Sequence, residues 1–196
     1  MKTIGLTITK NMYSVREHIG MSKAANNYDI FDAETDEMVL ECREQPLDLL
    51  NATLRLARLS GFNPFHIHIN TPDGEKLAAI RRHPEFLKEK IGILDGEGKL
   101  LWTMRETGNK ESIILEVTDS YQTVLYTIRK EDKNYILAEN RQDIGSVVKE
   151  WSELGKELFT STDNYTIYIE PHIPKDSSVR MLILTSAICI DMLYYE

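Results

Sequence analysis

Only two cysteines occur in 196 residues, Cys42 and Cys189, far apart in sequence; one disulfide between them is possible, but nothing in the spacing argues for it. No leader pattern follows Met1, so both read as free thiols in a reducing cytoplasm. No apolar run approaches the roughly 20 residues that cross a bilayer. The most apolar stretch, Met181 to Ile190, has ten uncharged residues between Arg180 and Asp191. It therefore reads as a buried core helix and not an anchor. There is no G-x-S-x-G elbow, phosphate-cradling glycine loop or Cys-x-x-Cys pair, which leaves no catalytic constellation to name. Positive charge is also short: 23 Lys and Arg against 31 Asp and Glu give a net charge of −8. That opposes nucleic-acid binding and strong adsorption to anionic lipid, both of which draw on basic surface. No linker or low-complexity tract divides the chain, and residues 1–196 read as a single domain long enough to bury a core without staples.

What is present is mostly strand and turn. Phe65-His-Ile-His-Ile-Asn70 alternates strictly, which puts Phe65, Ile67 and Ile69 on one face and His66 and His68 on the other. Thr71-Pro-Asp-Gly74 supplies a turn, and a return strand runs from Lys76 to Arg81. The device repeats around Asp95-Gly-Glu-Gly98, around Asp119-Ser120 and at Lys130–Asn134, after a first hairpin over Tyr28–Cys42. Short antiparallel strands at such spacing argue for a barrel or sandwich, with a weak internal duplication of one hairpin theme.

Two segments break this rhythm. Pro46 to Gly61 starts with proline, stops at glycine and carries Leu47, Leu50 and Leu54 along one stripe. It reads as a helix packed on a partner surface, ahead of a membrane-surface helix. The other is the segment Val179 to Tyr195, which is apolar all round and must hide every face, with Asp176 or Ser177 as its cap. A mainly β chain with one such helix suggests a barrel wrapped around it.

Charge is distributed unevenly. From Asp29 to Asp48 there are eight acids and one base, whereas Lys76 to Lys90 holds five bases and two acids. The bland reading of the basic run is a solvated face, and it is the one favoured. His66 and His68 have the residue type for a metal, but without a third ligand at telling spacing they read as exposed strand histidines. Asp32-x-Glu34-x-Asp36 looks like part of a calcium loop, yet Glu37 stands where the turn needs glycine.

The last fifty residues resemble a known family. Ile144-Gly145, Lys149-x-Trp151, Glu157-Leu-Phe-Thr160, Asp163-Asn164-Tyr165 and Ile169-Glu-Pro171 follow the pattern of phospholipid scramblases, and the final helix does so too, including Ile190-Asp191 followed by aromatics. Asn27-Tyr28-Asp-Ile-Phe-Asp32 is similar to the first strands of scramblase and LURP-one-related domains. The resemblance implies the tubby-like fold, a closed antiparallel β-barrel of about twelve strands around a central hydrophobic helix. It assigns Met181, Leu184, Ile188 and Asp191 to that core helix. Asp191 is then expected to meet an arginine from the barrel wall as a structural lock, since a buried carboxylate must be paired or neutralised. Trp102 and Trp151 read as core or rim aromatics.

The same resemblance implies calcium-dependent movement of phospholipid, with a calcium site at the loop before the last strand. Here that loop offers Ser161, Asp163 and Asn164, one carboxylate among them, whereas calcium takes six to eight oxygens, so no cofactor is expected and Asp163-Asn164 reads as a turn or cap. Asp143 or Glu170 are the residues that would have to join it in space. The family's cysteine-rich palmitoylation cluster and proline-rich arm have no counterpart. The expectation is a non-enzymatic cytoplasmic domain, peripheral to membranes, that binds phospholipid or a protein partner and no nucleic acid. Arg81, Arg82, Lys88 and Lys90 are the candidate phosphate contacts. The alternatives are a soluble scaffold without lipid activity, or genuine scrambling.

Overall fold

A computed structural model describes residues 8–18, 26–46, 64–82, 90–107, 114–150 and 164–194. Twelve strands follow one another: β1 (Met12–His18), β2 (Asn27–Asp32), β3 (Met38–Glu44), β4 (Phe65–Asn70), β5 (Lys76–Arg82), β6 (Lys90–Asp95), β7 (Leu100–Glu106), β8 (Ile114–Thr118), β9 (Val124–Glu131), β10 (Asn134–Glu139), β11 (Gln142–Glu150) and β12 (Asn164–Ile169). Each pairs antiparallel with its neighbour in sequence, and β1 closes on β12, giving a closed barrel. One helix, α1 (Val179–Tyr194), follows β12. This is the architecture that the resemblance implied, and the strands read from alternation fall where expected. The expected helix at 46–61 lies, from residue 47 on, outside the described residues, as does Trp151.

Period-two alternation sorts the wall. Directly paired residues share a face, so buried Val15, Ile30 and Leu40 face inward together, as do Cys42 with Ile69 and Ile67 with Ile80 and Ile93. Trp102 opposite Ile93 continues the last of these rows as a core aromatic. Arg180 through Met192 of α1 are all buried against this lining, which is how a helix that is apolar on every side is accommodated in water. Gly145 lets helix and wall approach closely: a Cβ there would lie 2.6 Å from the Tyr168 carbonyl oxygen and 3.0 Å from Ile183 Cγ2.

The two ends of the barrel differ. At one end the chain reverses through tight turns that repeat a single hydrogen-bond pattern. The Thr71 amide donates to the Glu75 carbonyl and the Gly74 amide to the Thr71 carbonyl; Asp95–Lys99 and Asp119–Thr123 make the same two bonds. Each pattern needs a left-handed residue at its fourth position, supplied by Gly74 (φ 92°), Gly98 (φ 88°) and Gln122 (φ 64°). A bulge sits beside each of these turns, between Ile69 and Asn70, Ile93 and Leu94, and Val117 and Thr118. The expected hairpin theme is thus a repeated turn-plus-bulge, which adds the local twist that helps a sheet close.

Helix α1 enters at this turn end and runs to the opposite one. The Ser177 Oγ accepts from the Val179 amide at 3.2 Å, so Ser177, one of the two expected caps, takes that role. Arg180 in the first turn is fully buried; its guanidinium donates to the carbonyls of Ile8 (2.7 Å), Ile173 (3.1 Å) and Lys10 and to Asn11 Oδ1 (3.1 Å). At the far end, Asp191 accepts from the Tyr28 hydroxyl at 2.7 Å and from the Tyr165 hydroxyl. Inward tyrosines of β2 and β12 thus reach the last turn of α1 from either side of β1 and hold the carboxylate there. Arg180 and Asp191 stand at the helix ends where the macrodipole disfavours each of them, so the barrel's acceptors at one end and donors at the other compensate for an unfavourable polarity.

Candidate lipid-facing surface

The four basic candidates do not share one surface. Arg82 pairs with Phe65, an inward core residue, and its guanidinium lies 5.4 Å from the centre of that ring. Arg81 pairs with outward His66 and is exposed. Successive strand positions alternate faces, so Arg82 is removed from the outer set. Lys90 pairs with Arg105 on the outer face, and Lys88 lies outside the described residues. The outer candidates are therefore Arg81 and Lys90, with Lys76 at the start of the same strand as Arg81.

These cations differ from most others on the wall. Arg105 is held by Glu116 at 2.7 Å, Arg129 by Glu131 (2.6 Å) and Asp143 (3.0 Å), and Arg43 by Asp29 at 2.6 Å. Lys76, Arg81 and Lys90 have no carboxylate partner among the described residues. Their field is felt nearby. His66 is pushed down to about 4, by burial first and then by His68, Lys76 and Arg81; His68 is lowered by burial and by Lys76. The two imidazoles meet edge to face, with centroids 4.6 Å apart, and both are neutral at pH 7.

The acidic run of the first hairpin is largely spent on internal ion pairs. Lys10 bridges Asp32 (3.6 Å) and Glu34 (3.1 Å), Arg16 meets Asp36, and Asp29 lies between His18 and Arg43. Asp32 also accepts from the Glu34 amide at 2.8 Å, and this bond is the first cause of its lowered pKa. The calcium-loop look of Asp32, Glu34 and Asp36 thus reflects a turn tied to β1.

Of the three residues proposed for calcium, Asn164 opens β12, while Ser161 and Asp163 lie outside the described residues. Asp143 and Glu170 stand far from Asn164. Asn164 pairs with Glu150 at one end of β11, and Asp143 stands seven residues away toward the other end, about 23 Å along a strand. Glu170 follows the far end of β12. Among the described residues no three His, Cys, Asp or Glu side chains converge as a metal would require. Both cysteines are buried free thiols; burial pushes Cys189 up to about 12, opposed by the nearby charge of Arg82, and raises Cys42 further.

A closed twelve-strand barrel filled by one hydrophobic helix is the tubby-like fold. The sequence model of the Scramblase family matches residues 23–196, and the chain belongs to that family. A crystal structure of a protein from Arabidopsis thaliana is similar over 96% of this chain and 95% of its own, with a TM-score of 0.56 at 10% identity, a likeness of fold alone. No curated protein matches the chain. Among the described residues, no helix is long and apolar enough to cross a membrane.

Proposed function

We propose that this is a non-enzymatic, cytoplasmic, membrane-peripheral domain that binds phospholipid headgroups through the outer face of β5 and β6. The observation that carries the reading is the set of cations Lys76, Arg81 and Lys90, which have no carboxylate partner among the described residues of a chain whose net charge is −8. An exposed guanidinium with no carboxylate partner among the described residues is available to a phosphate, and its fork matches two phosphate oxygens. Membership of the Scramblase family supports a phospholipid as the source of that phosphate. Flotation with phosphatidylserine or phosphoinositide vesicles at low salt tests it. Binding is expected to fall with added salt and to be lost in the Arg81→Glu, Lys90→Glu double variant; absence of flotation at low salt refutes it.

The net charge itself favours a second reading, a soluble scaffold that keeps the barrel without the lipid activity, because acidic surface repels anionic lipid. A stoichiometric protein partner in a pull-down, with no vesicle binding, would select it. Genuine scrambling is the third reading, and a reconstituted dithionite assay with and without calcium separates it from the other two.

A further inference from the structure

On the outer wall, several strands around the barrel from β5, strands β9 and β10 form a groove of about 490 Å³ near the turn end. That is within the size range of small-molecule sites, roughly 300–1,000 Å³. Its floor is Ala138, outward yet only 2% exposed, beside Thr127, and its apolar side is Leu125 and Val124. Arg129 at one end is already held by Glu131 and Asp143. Arg141 at the other end has no hydrogen-bond or ion-pair partner among the described residues.

Arg141 also occupies an expensive position. Asn140 (φ 48°) and Arg141 (φ 70°) turn β10 into β11 in the left-handed region, where a tight hairpin turn favours glycine at the second position. Two sister turns, at Gly74 and Gly98, use glycine for their left-handed residue. A long cation held there without a partner is a local cost that the fold does not need. Past the mouth of the groove, apolar side chains continue in the open: Val124 is 44% exposed and Tyr121 on the β8–β9 turn is 88% exposed. Among the described residues, four of the five exposed large hydrophobics, counting Met12, belong to the turn end.

We propose that this groove binds an amphiphile with one anionic headgroup on an alkyl chain, Arg141 taking the headgroup and Leu125, Val124 and Tyr121 taking the chain. A guanidinium serves a carboxylate or a phosphate equally in kind, so the headgroup is left to the measurement. The site is independent of the β5–β6 face.

Dodecanoate and dodecyl phosphate, each below its micelle concentration, are titrated calorimetrically into the full chain, with dodecyltrimethylammonium as the control. Saturable one-to-one binding of at least one anion and none of the cation is expected, with amide shifts confined to the β8–β11 turn end; the relative affinity of the two anions identifies the headgroup. Arg141→Gly suits the backbone and should fold at least as well as the parent, yet bind the anion at least tenfold more weakly. Ala138→Leu should fill the floor and also weaken binding. Equal affinity in Arg141→Gly, equal binding of the cationic amphiphile, or no saturable binding would overturn the proposal. So would a concentration-dependent dimer abolished by Ala138→Leu without amphiphile binding, which would assign the groove to a second copy of the chain.

Discussion

Replacing Arg180 by methionine keeps an unbranched apolar stem of similar length and removes only the guanidinium. Three carbonyls, of Ile8, Lys10 and Ile173, and the Asn11 side-chain oxygen then lose their donor. Hydrogen bonds to a charged group are worth about 1.5–3 kcal/mol each, so four would sum to roughly 6–12 kcal/mol gross. Removing the buried charge recovers its own desolvation, but each neutral acceptor left without a donor costs about 1–3 kcal/mol, so a net loss of about 3–5 kcal/mol is expected. Set against total stabilities of about 5–15 kcal/mol, that is about a fifth or more of what holds a typical domain folded. Urea unfolding should show an unchanged slope and a midpoint lowered by about 1–3 M. Arg180→Lys keeps the charge but has a compact ammonium that reaches fewer acceptors, and should fall between the two. Hydrogen exchange should quicken first in β1, whose preceding residues supply three of the four acceptors. A midpoint shift equivalent to less than about 1 kcal/mol in Arg180→Met would refute the reasoning, since the orphaned carbonyls would then have found other donors.

Three further outcomes are expected. Cys189 lies in the buried part of α1 with its thiol pushed up to about 12, so an impermeant maleimide should label it slowly in the native protein and rapidly in urea; fast native labelling would contradict the core helix. Gly145→Ala should cost about 1–3 kcal/mol, because its new Cβ meets a backbone oxygen that cannot rotate away, and calorimetry of the variant checks this. The folded pKa of His66, about 4, lies below the ordinary 6.5, so between these values the unfolded chain binds more protons and stability falls as pH drops. Discounted for a ring that is only half buried, this contributes about 1–2 kcal/mol. His66→Asn should lessen the acid loss of urea midpoint between pH 7 and 4.5, and an unchanged loss would be inconsistent with it.

Much of the fold was legible because its signals are local. Strict alternation at Phe65–Asn70 and the turns at Thr71–Gly74 and Asp95–Gly98 specify hairpins through periodicity and backbone dihedrals, and α1 was legible from its length and bracketing charges. The surface was less so. Reading Arg81 and Arg82 as one cluster overlooked the period that puts adjacent strand residues on opposite faces, a signal the sequence does contain. The tyrosines that hold Asp191 lie 163 and 26 residues away from it, and nothing near Asp191 points to them. Two of the four acceptors for Arg180 are backbone carbonyls of a segment about 170 residues earlier, which side-chain patterns do not describe. The β9–β10 groove was missed because Thr127, Ala138 and Arg141 look like ordinary surface; the available clue was Asn140-Arg141 where a hairpin would favour Asn-Gly.

Closure through β1 and β12, with the filling helix after both, also bears on how the polypeptide is made. Synthesis proceeds from the amino terminus, and every strand through β11 leaves the ribosome before the seam strand or the core exists. Until residues 164–194 have emerged, the inward rows of eleven strands have nothing to close around, and two strand edges lie open. Closure of the barrel must therefore wait for the end of this domain. Chains interrupted before β12 should be cleared by proteases and not persist as stable shorter domains.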